Sequence, residues 1–355
     1  MGLFDFLGFN KLPAGIINSS LLITDAATLA RAGKFVDALQ AKFHNVAIAL
    51  IDTPAHLPAL PHLVLPEDVA TATARLQKIQ PQRLIVLGVN ARYAALAKAA
   101  DCPRFWINAR DSDAAEAGCQ IITASYGGLN TANAQVTGDP LAELESLPQI
   151  TVDTELCQRF KEQHESGRWL GYFAATGENE EDIAYALFSR AIRHKMGLML
   201  LAPRDPARCE PVYRESIKYR LQTIRHQRLS TSFVPIKTRV YYVEQTQPLA
   251  AFYACVDFVV AGATLHADAK NPPDILTPIL HGKPVLVGAA HRKVPLLAAA
   301  VDAGVVLAGM DSEQIFAHIK ALLDDPDYGA NVASRARDWL NMQPGALGRV
   351  LALIK

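Results

Sequence analysis

Short apolar runs alternate with longer amphipathic stretches along the whole chain. In the first half, apolar runs at 20–24, 46–51, 83–87, 104–107 and 120–123 predict strands, and 26–43, 66–79 and 91–100 predict helices between them. The sequence at 137–140, Thr-Gly-Asp-Pro, closes this unit, and the polar stretch 153–168 reads as a connection. A second alternation follows. Strands are expected at 169–174, 197–202, 240–243, 258–261 and 285–288, with helices at 178–195, 206–221 and 311–323 and a terminal helical stretch at 331–355. Near-continuous apolar strands separated by helices imply parallel sheets covered on both faces. The predicted architecture is therefore α/β, with two doubly wound, Rossmann-like domains facing a cleft. Their expected extents are 1–150 and 169–335, joined by a linker at 151–168, with 336–355 as a terminal helix returning to the first domain.

The junction 257–284, DFVVAGATLHADAKNPPDILTPILHGKP, draws attention first. It predicts a buried strand, a tight Gly262-Ala263-Thr264 turn, a polar loop, and a helix that opens at Pro272-Pro273-Asp274 and stops at Gly282-Lys283-Pro284. A glycine turn facing a helix N-terminus at the carboxyl end of a parallel strand offers free amides and partial positive charge, which suits a phosphate. No GxGxxG follows the first strand, so the usual dinucleotide fingerprint is missing.

Composition narrows the picture. The 355 residues are 50% hydrophobic, enough for roughly two cored domains, and 35 Lys+Arg balance 35 Asp+Glu. No charge excess points to nucleic acid. The five cysteines (Cys102, Cys119, Cys157, Cys209, Cys255) show no metal or redox spacing and read as buried free thiols of a reducing compartment. No metal or other cofactor is expected. No apolar run approaches the ~18 residues of a spanning helix, and the start lacks a basic signal region, so a cytoplasmic protein is expected. Leu3, Phe4, Phe6, Leu7 and Phe9 form either an apolar face for a membrane interface or a segment packed on its own domain.

In the second domain the polar loops collect at predicted strand ends. Arg204 suits a phosphate or carboxylate, or else a capping ion pair with Asp205 or Glu210. Thr176 and Gly177 offer a hydroxyl and amides to a phosphate, or simply cap a helix whose first turn is rich in Glu. His266, His291, Arg292 and Lys293 flank the turn and are ligand candidates, whereas His281 reads as structural, a cation favouring a helix C-terminus.

These residues also carry a resemblance. The sequence looks like the 3-deoxy-D-manno-octulosonic acid (Kdo) transferases, GT-B-fold enzymes that add Kdo to lipid A. Tyr253-x-x-x-Asp257, Gly262-Ala263-Thr264-Leu265, an Asn-Pro loop and Gly282-Lys283-Pro284-Val285 stand in that family's order. The sequence at 175–182 (ATGENEED) resembles its Ser-Thr-His-Glu-Gly-Glu-Glu loop, and 201–208 (LAPRDPAR) its Ala-Pro-Arg-His-Pro-x-Arg. Gly345-Ala346-Leu347 with Arg349 and Leu351 is similar to its terminal helix, and Asn108-Ala109-Arg110 with Thr137-Gly138 echoes its first domain. The resemblance implies a transferase using CMP-Kdo, its donor held by Thr176, Gly177, Arg204, Gly262, Ala263, Thr264, Asn271 and either Asp274 or Thr277 at the ribose. The acceptor would be a lipid A-type or other saccharide bound by the first domain, in lipopolysaccharide biosynthesis, with peripheral contact to the inner membrane.

Departures are equally informative. The family's catalytic Glu aligns with Thr28, which cannot accept a proton near neutral pH. Asp25 is the nearby carboxylate, read either as the base or as an N-cap for the following helix. The family's Glu-Thr-Glu becomes Gly88-Val89-Asn90, and a glycine-bearing loop becomes 244–249, EQTQPL. The N-terminal membrane helix of the family has no counterpart in the pattern, and the neutral pI of about 7.1 departs from the basic character expected at an anionic membrane. Two other readings therefore stand beside CMP-Kdo transfer: a transferase of another nucleotide sugar or acceptor, and a non-catalytic relative.

Overall fold

The computed structural model describes residues 12–109, 113–127, 131–244, 249–266 and 273–355, the side chains of Asp113 and Lys293 excepted. The apolar segment at 3–9 and candidate Asn271 lie outside the described residues. The chain divides into two compact units, one of residues 1–145 and 342–355 and one of residues 146–341.

The first unit is built on β1 (Ser20–Thr24), β2 (Val46–Leu50), β3 (His62–Val64), β4 (Arg83–Leu87), β5 (Arg104–Ile107), β6 (Ile121–Ala124) and β7 (Ala134–Val136). All pair in parallel, in the order β3-β2-β1-β4-β5-β6-β7. The helices are α1 (Ala26–Leu29), α2 (Gly33–Lys42), α3 (Val69–Ile79), α4 (Tyr93–Lys98) and α5 (Asp113–Glu116). One core, including Leu21, Ala49, Leu76, Val86 and Trp106, covers one face of the sheet; Leu22, Phe35, Leu39, Ile85 and Val350 fill the other. Both faces are dry, which is why the central strands read as near-continuous apolar runs.

The second unit repeats the plan with β8 (Trp169–Thr176), β9 (Gly197–Pro203), β10 (Thr223–Arg225), β11 (Val240–Tyr242), β12 (Phe258–Ala261), β13 (Val285–Val287) and β14 (Leu307–Ala308). Its order is β10-β11-β9-β8-β12-β13-β14, again parallel. Along the chain from residue 154 run α6 (Thr154–Gln158), α7 (Lys161–Glu165), α8 (Glu181–His194), α9 (Cys209–Lys218), α10 (Leu276–Leu280), α11 (Pro295–Asp302), α12 (Ser312–Asp324), α13 (Pro326–Met342) and α14 (Ala346–Leu353). The α/β, doubly wound reading of both halves stands. Among the described residues no helix is long and apolar enough to cross a membrane.

Several details differ from expectation. The single helix expected over 26–43 breaks at residues 30–32 into α1 and α2. The first piece is capped by the Asp25 carboxylate, which accepts from Thr28 N at 2.8 Å. The helix expected from Pro272 is only the five residues of α10, entered through Asp274 and ended at Gly282 with φ 70°. So short a helix adds little dipole. Cys157 and Cys255 form a disulfide across 98 residues of sequence, which corrects the expectation of free thiols throughout; Cys102, Cys119 and Cys209 are free.

The terminal helix α14 belongs to the first unit, and the Gly138 turn explains its seat. A Cβ on Gly138, whose φ is 78°, would lie 2.3 Å from the Met342 carbonyl oxygen. Arg349 donates to the Thr137 carbonyl at 3.0 and 2.9 Å, and Asp139 N donates to Gln343 Oε1 at 2.8 Å.

Candidate functional site

In a doubly wound sheet, the crevice for a ligand opens at the carboxyl ends of the strands where the winding reverses. In the second unit that point lies between β8 and β12. The Thr176–Glu181 loop leaves β8 there and the Gly262 turn leaves β12. β8 carries a bulge between Ala174 and Thr176, with Ala175 in the left-handed region at φ 55°. A Cβ on Gly262 would lie 2.3 Å from the Ala175 carbonyl oxygen, so the turn passes against the bulge and admits only glycine.

One side chain organises both loops. The buried carboxylate of Glu180 accepts from Gly177 N (2.7 Å) and Ala263 N (2.6 Å) on one oxygen, and from Leu265 N (2.7 Å) and His266 N (3.2 Å) on the other. The amides expected to be free for a phosphate are therefore occupied by the protein's own anion. Physically the Gly262 turn is an anion nest, as its composition predicts, but its anion is internal.

The other nominated donors are engaged as well. Thr176 is fully buried and its hydroxyl donates to Glu181 at 2.8 Å; Glu181 also pairs with Arg208 at 2.6 Å. Gly262 N donates to the Ala174 carbonyl at 2.8 Å. Thr264 donates its hydroxyl to the Ala261 carbonyl at 2.5 Å and accepts from Gly288 N at 2.9 Å, pinning the loop after β13. His291 is buried, its Nδ1 2.8 Å from the Gly288 carbonyl, so it serves its own turn rather than lining a pocket. His281 ends α10, but burial, then the charges of Lys283 and Arg337, hold its pKa below the ordinary value. It is a neutral imidazole at pH 7, not the cation expected for a helix C-terminus.

Two charged candidates, Arg204 and Asp274, also belong to this unit. Arg204 follows β9, its backbone N donating to the Thr176 carbonyl at 2.9 Å, so its position is locked to the β8 loop. Asp274 is exposed and accepts from Thr277 N at 3.1 Å, which brings these two candidates together as cap and capped. Both charges act on Tyr253: burial mainly, then the Asp274 carboxylate, raise its phenol well above the usual value, and Arg204 opposes them. Arg204, Tyr253 and Asp274 thus share one environment beside the turn.

In the first unit the winding reverses between β1 and β4. Asp25 stands at the end of β1, half-buried. Its Oδ1 accepts from Thr28 N and its Oδ2 from the Thr28 hydroxyl, each at 2.8 Å, while the Tyr93 hydroxyl lies 3.4 Å away. Burial, then the Asp25 charge, push the Tyr93 phenol far above its ordinary value, so it keeps its proton and donates a hydrogen bond to this carboxylate. Gly88 at φ 96° keeps the space above Thr28 narrow; a Cβ there would stand 3.3 Å from Thr28 Oγ1. Asp52, which sequence reasoning missed, follows β2 and accepts from Ala26 N at 2.7 Å. Beside it, a cavity of about 730 Å³ is walled by Leu29, Val36, Pro54, Pro58, Leu60 and several alanines.

No family model matches the chain, and no curated protein sequence does. Solved structures of similar shape include the C-terminal CMP-Kdo binding domain of WaaA from Acinetobacter baumannii, at 20% identity and a TM-score of 0.47, over 52% of this chain and 94% of that one. MurG from Acinetobacter baumannii is 12% identical with a TM-score of 0.43, over 95% of this chain and 99% of that one. HepE from Anabaena, in complex with UDP and glucose, is 12% identical with a TM-score of 0.37, over 94% and 98%. Likeness at this level assigns neither activity nor ligand.

Proposed function

We propose that the chain is a glycosyltransferase of the Kdo transferase type, moving Kdo from CMP-Kdo to a hydroxyl of a lipid A-type acceptor. The observation that carries this reading is the convergence of its ordered motifs on one strand edge. Three separate stretches of sequence, the Thr176–Glu181 loop, Arg204 and the segment from Tyr253 through the Gly262 turn to Asp274, are joined there by hydrogen bonds and by the charges that Arg204 and Asp274 exert on Tyr253. In the reaction, the acceptor oxygen forms a bond to the anomeric carbon as the bond to the CMP phosphate breaks. The acceptor proton passes to a carboxylate, Asp25 in this proposal. The leaving phosphate is met by Arg204, whose fork suits it. The amides of the Gly262 turn position rather than bind, because the Ala174 carbonyl and Glu180 already accept from them. The ribose falls to the Asp274–Thr277 cap, Asn271 nearby in sequence, and the apolar part of the acceptor to the cavity beside Asp52.

Incubation with CMP-Kdo and a lipid A-type acceptor tests this, with CMP release and product mass as readouts. Release of CMP with a mass gain of one Kdo supports the reading; turnover of a UDP- or GDP-sugar instead would shift it to a transferase of another donor. A second reading, a non-catalytic relative, is favoured by one observation: both oxygens of Asp25 are already engaged by Thr28. Failure to consume any nucleotide sugar, with nucleotide binding retained, would establish it.

A further inference from the structure

At the opposite, amino-terminal end of the second unit's sheet lies a cavity of about 400 Å³, whose walls include none of the donor candidates. Its walls include Arg168 and Trp169 at the start of β8, Lys195 after α8, Asp257 before β12, Lys283 before β13, and Leu323 of α12. Two of its cations are engaged. Lys195 donates its ammonium to the Leu323 carbonyl at 3.2 Å, and Arg168 donates to Gln163 Oε1 at 3.2 Å and to the Ile236 carbonyl. Asp257 accepts from Leu170 N at 2.7 Å and faces His164 Nδ1 at 3.8 Å. Lys283 differs. Among the described residues its amino group has no hydrogen bond and no ion pair, although the side chain is half-buried.

We propose that Lys283 is a covalent acylation site, whose amino group attacks small acyl phosphates entering this cavity. Lys195 and Arg168 supply the positive charge that draws the phosphate in. Nζ forms a bond to the acyl carbon while the carbon–oxygen bond to the phosphoryl group breaks. The phosphate leaves with the electron pair and takes the amine's proton as hydrogen phosphate, and an amide remains on Lys283. Attack requires the neutral amine, and burial lowers the Lys283 pKa, with the Asp257 charge opposing. Gly282, in the left-handed conformation, turns the chain after α10, and Lys283 beyond it lines the cavity.

Acetyl phosphate is the probe. The full-length protein is incubated with it at pH 7.5, digested, and acetyl occupancy at each lysine is followed by mass spectrometry. Lys283 should acetylate at least about fivefold faster than Lys218, whose side chain is 72% exposed. In folded Asp257→Asn, which keeps an oxygen for Leu170 N, the Lys283 rate should rise further while that of Lys218 stays the same. A Lys283 rate equal to or below that of Lys218, or a fall in the Asp257→Asn variant, overturns the proposal.

Discussion

Replacing Glu180 by Gln tests whether the internal carboxylate holds the candidate site together. In the wild type, two oxygens accept four backbone N–H groups, three at 2.6–2.7 Å and one at 3.2 Å. Glutamine keeps one acceptor oxygen and places an NH2 group against the other pair of donors. Either Gly177 and Ala263 or Leu265 and His266 lose their acceptor, in a site with no room for compensating shifts at Gly262. Two unsatisfied donors cost roughly 1–3 kcal/mol each, so the variant should lose about 2–6 kcal/mol. Urea unfolding followed by fluorescence reads this directly, since Trp169 and Trp339 report on the second unit and Trp106 on the first. The transition of the second unit should move to lower urea. A midpoint unchanged within about 1 kcal/mol of equivalent stability would refute the reasoning, because the carboxylate would then not hold the loops.

Three further outcomes follow from particular contacts. Thiol titration of the unreduced, denatured chain should find three thiols, and five after reduction; in the chain-entropy account, loss of a cross-link spanning 98 residues removes ~4.7 kcal/mol. His226 and His281 both have pKa values lowered by burial, so each must gain a proton on unfolding in acid. Their contribution is complete above the ordinary histidine value and lost as pH falls below it, at most about 1.4 kcal/mol per pH unit for each; His226→Asn should flatten the decline in denaturation midpoint between pH 7.5 and 5.5, and an unchanged slope contradicts this. Gly138→Ala meets a carbonyl at 2.3 Å and takes a positive φ, so it should cost at least about 2 kcal/mol and loosen α14, seen as faster amide exchange in residues 346–353.

The central strands were legible because both faces of each sheet are dry: β1, β2, β4, β8, β9 and β12 are near-continuous apolar runs. The strands at and toward the edges were not. β3, β7, β10 and β14 are two or three residues long, too short for any period to register, and β7 is mostly exposed. The break between α1 and α2 was hidden because Ala30-Arg31-Ala32 favours helix as strongly as its neighbours. At the candidate site, local chemistry announced the nest but not its occupant. Glu180 reads locally as a first-turn acid of α8, whereas three of its four partners lie 83 to 86 residues away. A faint signal existed in Glu178-Asn179-Glu180, where Asn179 takes φ 65° and delays the helix start. The Cys157–Cys255 bond was illegible for the same reason, since 98 residues separate partners that only the sheet brings together.

The central claim is that the carboxyl edge of the second unit holds a nucleotide phosphate against Arg204. Titrating CMP calorimetrically into wild type and Arg204→Ala tests it most directly, with folding checked by circular dichroism. The account predicts binding by wild type and at least about tenfold weaker binding by the variant, the loss of one charge-assisted phosphate contact. Equal affinity in the two proteins, or no CMP binding by either, contradicts it.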